Sequence, residues 1–152
     1  MKRIALSLLL FGILFPVVAA AQSATWTDPA TKLMWAGQDN KKDIDWNQAK
    51  NYCSNLALAG YSGWRLPTIE ELAAIYDPTQ DTVLAIRRIS GHDLSGHYHI
   101  KGGIVLTVPW VWSGSTSVNS AQVMFFHFED AKTGSNPPHW NYGRRALCVR
   151  RP

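Results

Sequence analysis

The chain has 152 residues, of which 46% are hydrophobic and 17% charged, and its 15 Lys and Arg residues against 11 Asp and Glu give a formal net charge of +4. This length fits one domain with its own core and is too short for two of ordinary size. The modest charge gives no reason to expect a nucleic-acid partner, and no internal repeat or low-complexity linker divides the sequence.

The first 21 residues have the pattern of an export signal. Lys2 and Arg3 give a positive start, an apolar run covers residues 4–18, and three alanines at 19–21 form a candidate cleavage site. The run is shorter than the about 20 residues of a membrane-spanning helix, and no cysteine follows the cleavage site to carry a lipid. We therefore expect residues 22–152 to form a single exported domain, periplasmic or secreted, without a stable membrane span.

The sequence contains two cysteines, Cys53 and Cys148. Because an exported chain meets an oxidising compartment, an even pair is interpreted first as a disulfide, here joining the first helix to the last strand. Two buried thiols or a redox pair remain as alternatives, and the wide spacing without a Cys-x-x-Cys motif weighs against the redox pair.

The first part of the domain predicts a hairpin followed by a helix. Residues 26–35 form the hairpin, with Asp28-Pro29 opening its turn. Asp45 can cap the helix, with Gln48 three residues later, and Gly60 is placed to end it. Its apolar face consists of Trp46, Ala49, Cys53 and Leu56.

A second helix is predicted at about residues 69–76. Pro67 disfavours helical backbone just before it, Thr68 can cap it, and Glu71 completes a capping box. The residues that this helix is expected to bury are Leu72, Ile75 and Tyr76.

The second half of the chain predicts loops and strands. Residues 77–103 show no sustained period and are interpreted as a long irregular excursion, which is a common place for a binding site. Short extended pieces follow at 104–107 and 111–113, and residues 122–128, apolar on both faces, predict a central strand. A polar segment at 129–143 then leads to a closing strand at about 145–150.

Three segments carry a resemblance to a known family: Trp64-Arg65-Leu66-Pro67-Thr68, Asp45-Trp46-Asn47-Gln48-Ala49 and Arg145-Ala146-Leu147-Cys148-Val149-Arg150. They resemble the DUF1566 family, also known as the C-terminal domain of the Legionella collagen-like adhesin, over about residues 26–150. Trp112-Ser113-Gly114-Ser115 is similar to a further family strand, with Gly114 in place of a more usual Ser or Thr.

The resemblance implies an α+β fold akin to the C-type lectins and formylglycine-generating enzymes. Two helices would pack on small, mainly antiparallel sheets with a long loop region, and the N- and C-terminal strands would pair. Members of the family are mostly exported bacterial proteins. The adhesin domain is linked to binding of sulfated glycosaminoglycans.

Metal-dependent chemistry finds little support in the sequence. The triplets that mark lectin calcium sites are absent, since Trp140-Asn141-Tyr142 and Asn136-Pro137-Pro138 lack the required carboxylates. A cluster of His92, Asp93, His97 and His99 makes a transition-metal site conceivable, but histidines tolerated in a polar loop are the favoured interpretation. We therefore expect no metal and no cofactor.

Catalysis is not expected either. The related enzymes use a cysteine pair with copper, and a disulfide would leave no thiol for such a site. Glu70 and Glu71 lie in the first turn of a helix, where negative charge favours the helix dipole. His127, between two phenylalanines, is interpreted as a core or edge residue.

Aromatic and basic residues indicate a binding role. Exposed rings can stack on sugars while Arg and Asn bind hydroxyl, sulfate or carboxylate groups. Five tryptophans are assigned to the core: Trp26, Trp35, Trp46, Trp64 and Trp112. The candidate ligand residues are Trp110, His139, Trp140, Asn141, Tyr142, Arg144, His97 and His99.

Three arginine pairs, 87–88, 144–145 and 150–151, would form an anion-attracting patch if strands brought them together. The sequence thus predicts an exported, non-catalytic module that binds glycans, sulfated polysaccharides or other polyanionic surface ligands. A periplasmic or envelope module for protein partners is one alternative. An oxidative enzyme related to formylglycine-generating enzymes is another.

Overall fold

The computed structural model describes residues 23–84, 87–89, 92–94, 96–118 and 121–152. The expected export signal at 1–21 lies outside this part of the chain. The helices are α1 (Trp46–Ser54) and α2 (Ile69–Ala74). The strands are β1 (Thr25–Thr27), β2 (Met34–Ala36), β3 (Thr82–Val83), β4 (Arg87–Ile89), β5 (His92–Leu94), β6 (His97–Tyr98), β7 (Trp110–Thr116), β8 (Val123–His127), β9 (Lys132–Asn136) and β10 (Val149–Arg150).

The predicted α+β class is confirmed, with two helices and small antiparallel sheets. The N-terminal hairpin is present as β1 and β2, and the sheet order is β1-β2-β10. The expected pairing of the first and last strands is therefore wrong, because β10 pairs with β2. Trp35 of β2 is fully buried, so the apolar strand takes the centre and the threonine-flanked β1 takes an edge.

Helix α1 begins as predicted. Asp45 accepts a hydrogen bond from the Gln48 amide at 2.8 Å, and Gln48 Oε1 accepts from the Asp45 amide at 3.3 Å. The helix ends at Ser54, so the assignment of Gly60 as its terminator is wrong. Ala59 and Gly60 instead occupy a two-residue turn, both with positive φ, as in the tight turns that favour glycine.

Helix α2 also carries the predicted capping box, between Thr68 and Glu71. It is shorter than expected, since the bonds from the Ile75 and Tyr76 amides reach back only three residues and tighten its end. The Glu71 carboxylate caps the helix and also accepts hydrogen bonds from both terminal nitrogens of Arg65, at 2.6 and 2.7 Å.

The larger late sheet has the order β7-β8-β9, and its central strand β8 was predicted. Strand β9 is not predicted by the sequence, because it lies inside the polar segment at 129–143. The 77–103 region is also more regular than expected. It contains the pairs β3–β6 and β4–β5 and a 3-10 turn at Lys101–Gly103.

The disulfide between Cys53 and Cys148 is present, with Cα atoms 5.4 Å apart, and both residues are buried. Cys148 precedes β10 rather than lying within a strand from 145, because the residues before it bond to several different elements. The core around the bridge includes Trp35, Leu72, Trp112, Phe128 and Leu147. Among the described residues, every helix is too short or too polar to span a bilayer.

Removal of the disulfide should strongly lower stability. For the Cys53→Ala/Cys148→Ala double variant, the chain-entropy treatment predicts a loss of about 4–5 kcal/mol, because the denatured chain is no longer closed into a loop of this size. Urea unfolding measures the change, with the wild type in reductant as the control. Equal midpoints for oxidised protein and variant would contradict the prediction.

The Glu71–Arg65 pair should make stability depend on pH. The Arg65 guanidinium, with a smaller contribution from the Thr68 amide, lowers the pKa of Glu71 below its ordinary 4.5. The stabilisation by this ion pair is fully present above the pKa that Glu71 has in the unfolded chain. It is lost as the pH falls through the lower pKa that Glu71 has in the folded protein. Glu71→Gln keeps the cap, and because Arg65 is 41% exposed we expect a loss of only about 1 kcal/mol at neutral pH.

The control for this experiment is Glu70→Gln on the same turn, expected to change the free energy of unfolding by less than about 0.5 kcal/mol. Urea unfolding at neutral and at acidic pH measures both variants. A Glu71→Gln deficit that persists unchanged in acid would show that the ion pair is not its cause.

Candidate functional site

One face of the β7-β8-β9 sheet carries a half-buried cluster that we call the aromatic face: Trp110, Phe125, His127 and Arg144. The antiparallel register pairs Trp110 with His127, and their rings stack with centroids 5.4 Å apart. The Arg144 guanidinium lies 3.8 Å from the Phe125 centroid and 5.2 Å from that of Trp110. A cation thus lies beside two aromatic rings, a favourable electrostatic arrangement.

Two glycines allow this packing. Gly134 faces Phe125 across β8 and β9, and a Cβ at Gly134 would collide with the Phe125 ring. The ring therefore covers the bare glycine backbone, as aromatic residues often do in sheets. Gly143 has φ of +66° and adjoins the Trp110 ring, so the chain turns closely enough to place Arg144.

Arg144 is a partly desolvated cation. One terminal nitrogen donates to Asn136 Oδ1 at 3.0 Å, whereas the buried Nε has no hydrogen-bond partner among the described residues. Burial lowers the pKa of Arg144 to about 10, while Asp43 acts in the opposite direction. The group remains charged at neutral pH, and an anion near it would interact more strongly than in bulk water.

His127 was assigned to the core or an edge, and it lies at the C-terminal end of β8, half-buried. Its Nδ1 is 2.6 Å from Asp130 Oδ1, and its Nε2 is 3.3 Å from Glu129 without hydrogen-bond geometry. Asp130 also binds Lys132, and that hydrogen bond is the main cause that lowers the pKa of Asp130 to about 2. These partners orient the imidazole against Trp110.

The turn that precedes Arg144 presents two exposed rings, Trp140 at 41% and Tyr142 at 45% exposure. Trp140 Nε1 donates to the Tyr142 carbonyl at 2.9 Å, and the Trp140 amide donates to the Pro137 carbonyl. The Pro138 carbonyl accepts from the Trp46 amide at the start of α1. His139 and Asn141, in the same turn, are also exposed. The turn is therefore held from within and from the helix.

The structure divides the predicted ligand residues into two groups. Trp110 and Arg144 are in contact, and His139, Trp140, Asn141 and Tyr142 form the adjoining turn. His97 and His99 instead bind Asp81 Oδ1 at 2.6 Å and the Gln80 carbonyl at 2.7 Å. Phe125 and His127 were missed, although the period of two along β8 could have placed them beside Trp110.

Among the residues that the structure describes, no group of three His, Cys, Asp or Glu side chains could hold a metal ion. His97 and His99 have the partners given above. The side chains of His92 and Asp93 lie outside the described residues.

The neighbouring residues Arg144 and Arg145 do not act as a pair. Arg145 is buried and forms an ion pair with Asp43, while its Nε donates to Thr107 Oγ1 at 2.9 Å. Arg150 lies 4.7 Å from the Tyr61 ring centroid. The side chains at 87–88 lie outside the described residues. Of the adjacent arginines 144 and 145, only Arg144 reaches the aromatic face.

These features define a disulfide-linked α+β domain with an aromatic and cationic surface on its late sheet. Residues 24–150 match the family described as the Lcl C-terminal domain. The match covers most of the chain, which therefore belongs to that family. No curated protein and no solved structure matches the chain.

Replacing Arg144 should test the packing of the aromatic face. Arg144→Lys keeps the charge but loses the planar group over Phe125, so we expect the free energy of unfolding to fall by about 1 kcal/mol. Arg144→Ala should cost more, because the aliphatic stem is lost as well. Chemical denaturation measures both, with the exposed Arg151→Lys as control. An Arg144→Lys variant as stable as the wild type would contradict stacking.

Proposed function

We propose that this protein is an exported, non-catalytic, adhesin-like module that binds glycans or polyanionic surface ligands through the aromatic face and the turn at 137–142. Membership of the Lcl C-terminal domain family supports an adhesin-like role. The disulfide is compatible with export to an oxidising compartment.

We further propose that the scaffold is C-type-lectin-like. The order of early hairpin, two helices, an intermediate region and late strands agrees with that plan. The closing strand β10 lies beside the opening hairpin, through β2, which brings the two ends of the domain together. The proposed binding surface then consists of late strands and the turn that follows them.

The observation that carries the proposal is the placement of exposed Trp140 and Tyr142 just before Arg144. Aromatic rings present apolar faces on which sugar rings stack, and a guanidinium binds sulfate or carboxylate groups through charge-assisted hydrogen bonds. Arg144 contributes a charge that Asp43 only partly offsets, since the carboxylate of Asp43 is paired with Arg145. The combination suits an anionic glycan better than a neutral one.

The interpretation as a non-catalytic module has its own support. Both cysteine sulfurs form the bridge, so neither is available as a thiol for chemistry of the formylglycine-generating type. The Glu71 carboxylate binds Arg65 and the Thr68 amide at the start of α2, so it has a structural role and is not proposed as a catalytic acid.

Heparin chromatography should test the proposal. We expect retention that weakens steeply with added salt, because exposed charges are screened over about 8 Å at physiological ionic strength. Arg144→Ala, Trp140→Ala and Tyr142→Ala should each elute earlier than the wild type. Tyr61→Ala, with a similarly exposed ring at 43% in the turn after α1, is the control and should elute unchanged.

Retention no better than that of a neutral control protein would refute the polyanion assignment. Recovery of one stable envelope protein in a pulldown, with a blank glycan array, would replace it by protein binding. Tightly bound metal in the purified protein, accompanied by oxidase activity, would instead favour the enzymatic alternative.

A further inference from the structure

A second concave surface lies between α1 and the N-terminal hairpin. Its cavity of about 240 Å³ is lined by Tyr52, Leu56 and Leu58 from the helix side and by residues 23–24 and 36–38 from the hairpin side. A shallower depression over Asn51 and Asn55 continues from it, because Tyr52 and Leu56 line both. We call the two together the amide groove.

The walls of this groove are fixed by the fold. Cys53, next to Tyr52, carries the disulfide, and the Ala36 amide donates to the Cys148 carbonyl at 2.9 Å. The Gly37 amide donates to the Ala24 carbonyl, and a Cβ at Gly37 would collide with the Ser23 carbonyl oxygen. The two sides of the groove are thus built on secondary structure and closely packed backbone, and a ligand would enter a preformed site.

The lining carries no charged side chain in either part of the groove. Its polar side chains are the phenol of Tyr52, the hydroxyl of Ser23 and the amides of Gln38, Gln48, Asn51 and Asn55. Gln48 accepts a hydrogen bond from the Asp45 amide, and Asn55 donates one to the Asn51 carbonyl. The amides of Gln38 and Asn51 are exposed and have no hydrogen-bond partner within the described residues. Burial, and to a smaller extent Asp39, raises the pKa of Tyr52, so the phenol keeps its proton.

These groups select a class of ligand. A phosphate or sulfate would require Arg or Lys, which the lining lacks. Amides and a phenol each offer neutral donors and acceptors, as neighbouring sugar hydroxyls require, and the Tyr52 ring with Leu56 and Leu58 offers an apolar surface for the sugar face. The cavity is smaller than the roughly 300–1,000 Å³ of pockets for drug-sized molecules, so it suits one ring.

We infer that the amide groove is a binding site for a neutral sugar ring of an oligosaccharide, separate from the aromatic face. The ring stacks on Tyr52 and bonds to Gln38 inside the cavity, and the next sugar contacts Asn51 in the shallower part. The site does not depend on the polyanion assignment, because none of its lining residues belongs to the aromatic face.

Titration of the purified protein with maltotriose, cellotriose and chitotriose, followed by NMR and calorimetry, tests the inference. We expect at least one of these to shift the resonances of Tyr52 and Asn51 with an affinity that does not change with added salt. Tyr52→Ala should weaken that affinity about tenfold and Asn51→Ala about fivefold. Tyr52→Phe should retain most of it.

Asn47→Ala provides the control, since Asn47 is an exposed asparagine on the same helix that lines neither part of the groove. It should bind like the wild type, and thermal unfolding should show all variants folded. No shift at the groove with any of the three sugars overturns the inference, as does equal binding by wild type and Tyr52→Ala. Displacement of the sugar by heparin would also overturn it, whereas failure of heparin retention would affect only the aromatic face.

Discussion

The structure depends on the return of residues 145–149 through the centre of the domain. Residues 146–149 of this segment are at most 1% exposed. The segment bonds to β7 through Arg145 and to the connector before α1 through Ala146. It bonds to β2 through Cys148 and β10, and to the backbone of Arg65 through Val149. The disulfide adds a covalent link to α1. Elements far apart in sequence therefore meet at one closing segment.

This closing segment also explains how the aromatic face is placed. The Arg145 amide donates to the Trp110 carbonyl, and the Trp112 amide donates to the Arg145 carbonyl. With Arg145 fixed inward by Asp43 and Thr107, the preceding residue must face the other way, because alternate side chains of an extended chain point to opposite sides. Arg144 is consequently directed onto the rings of Trp110 and Phe125.

The elements that the sequence predicts correctly carry local signals. The caps at Asp45 and Thr68 involve residues three apart, and both helix starts were located from them. Strand β9 was missed because a polar edge strand containing Gly134 has no periodic apolar signal, and its ring cover from Phe125 comes from another strand. The partner of β10 was wrong for a similar reason, since the choice between β1 and β2 depends on burial rather than on local pattern.

The candidate site shows the same limit. Trp110 and Arg144 were predicted because their side chains suit a ligand. Their contact with each other, and the distance of His97 and His99 from them, depend on the tertiary structure and have no local sequence signal. The amide groove left no sequence signal, because single asparagines and glutamines on a helix are ordinary surface residues. It exists only where α1 meets the hairpin.

Both surfaces are linked through a buried polar network. Asp39 accepts from the Thr107 amide and hydroxyl, and Thr107 Oγ1 in turn accepts from Arg145. Burial raises the pKa of Asp39, while the Thr107 hydrogen bonds oppose the rise. A buried polar group without a hydrogen-bond partner destabilises the folded state, whereas a network in which every group is bonded holds its side chains in fixed orientations. Asp39 follows Gln38 of the amide groove and Arg145 follows Arg144 of the aromatic face, so one set of hydrogen bonds positions a residue in each surface.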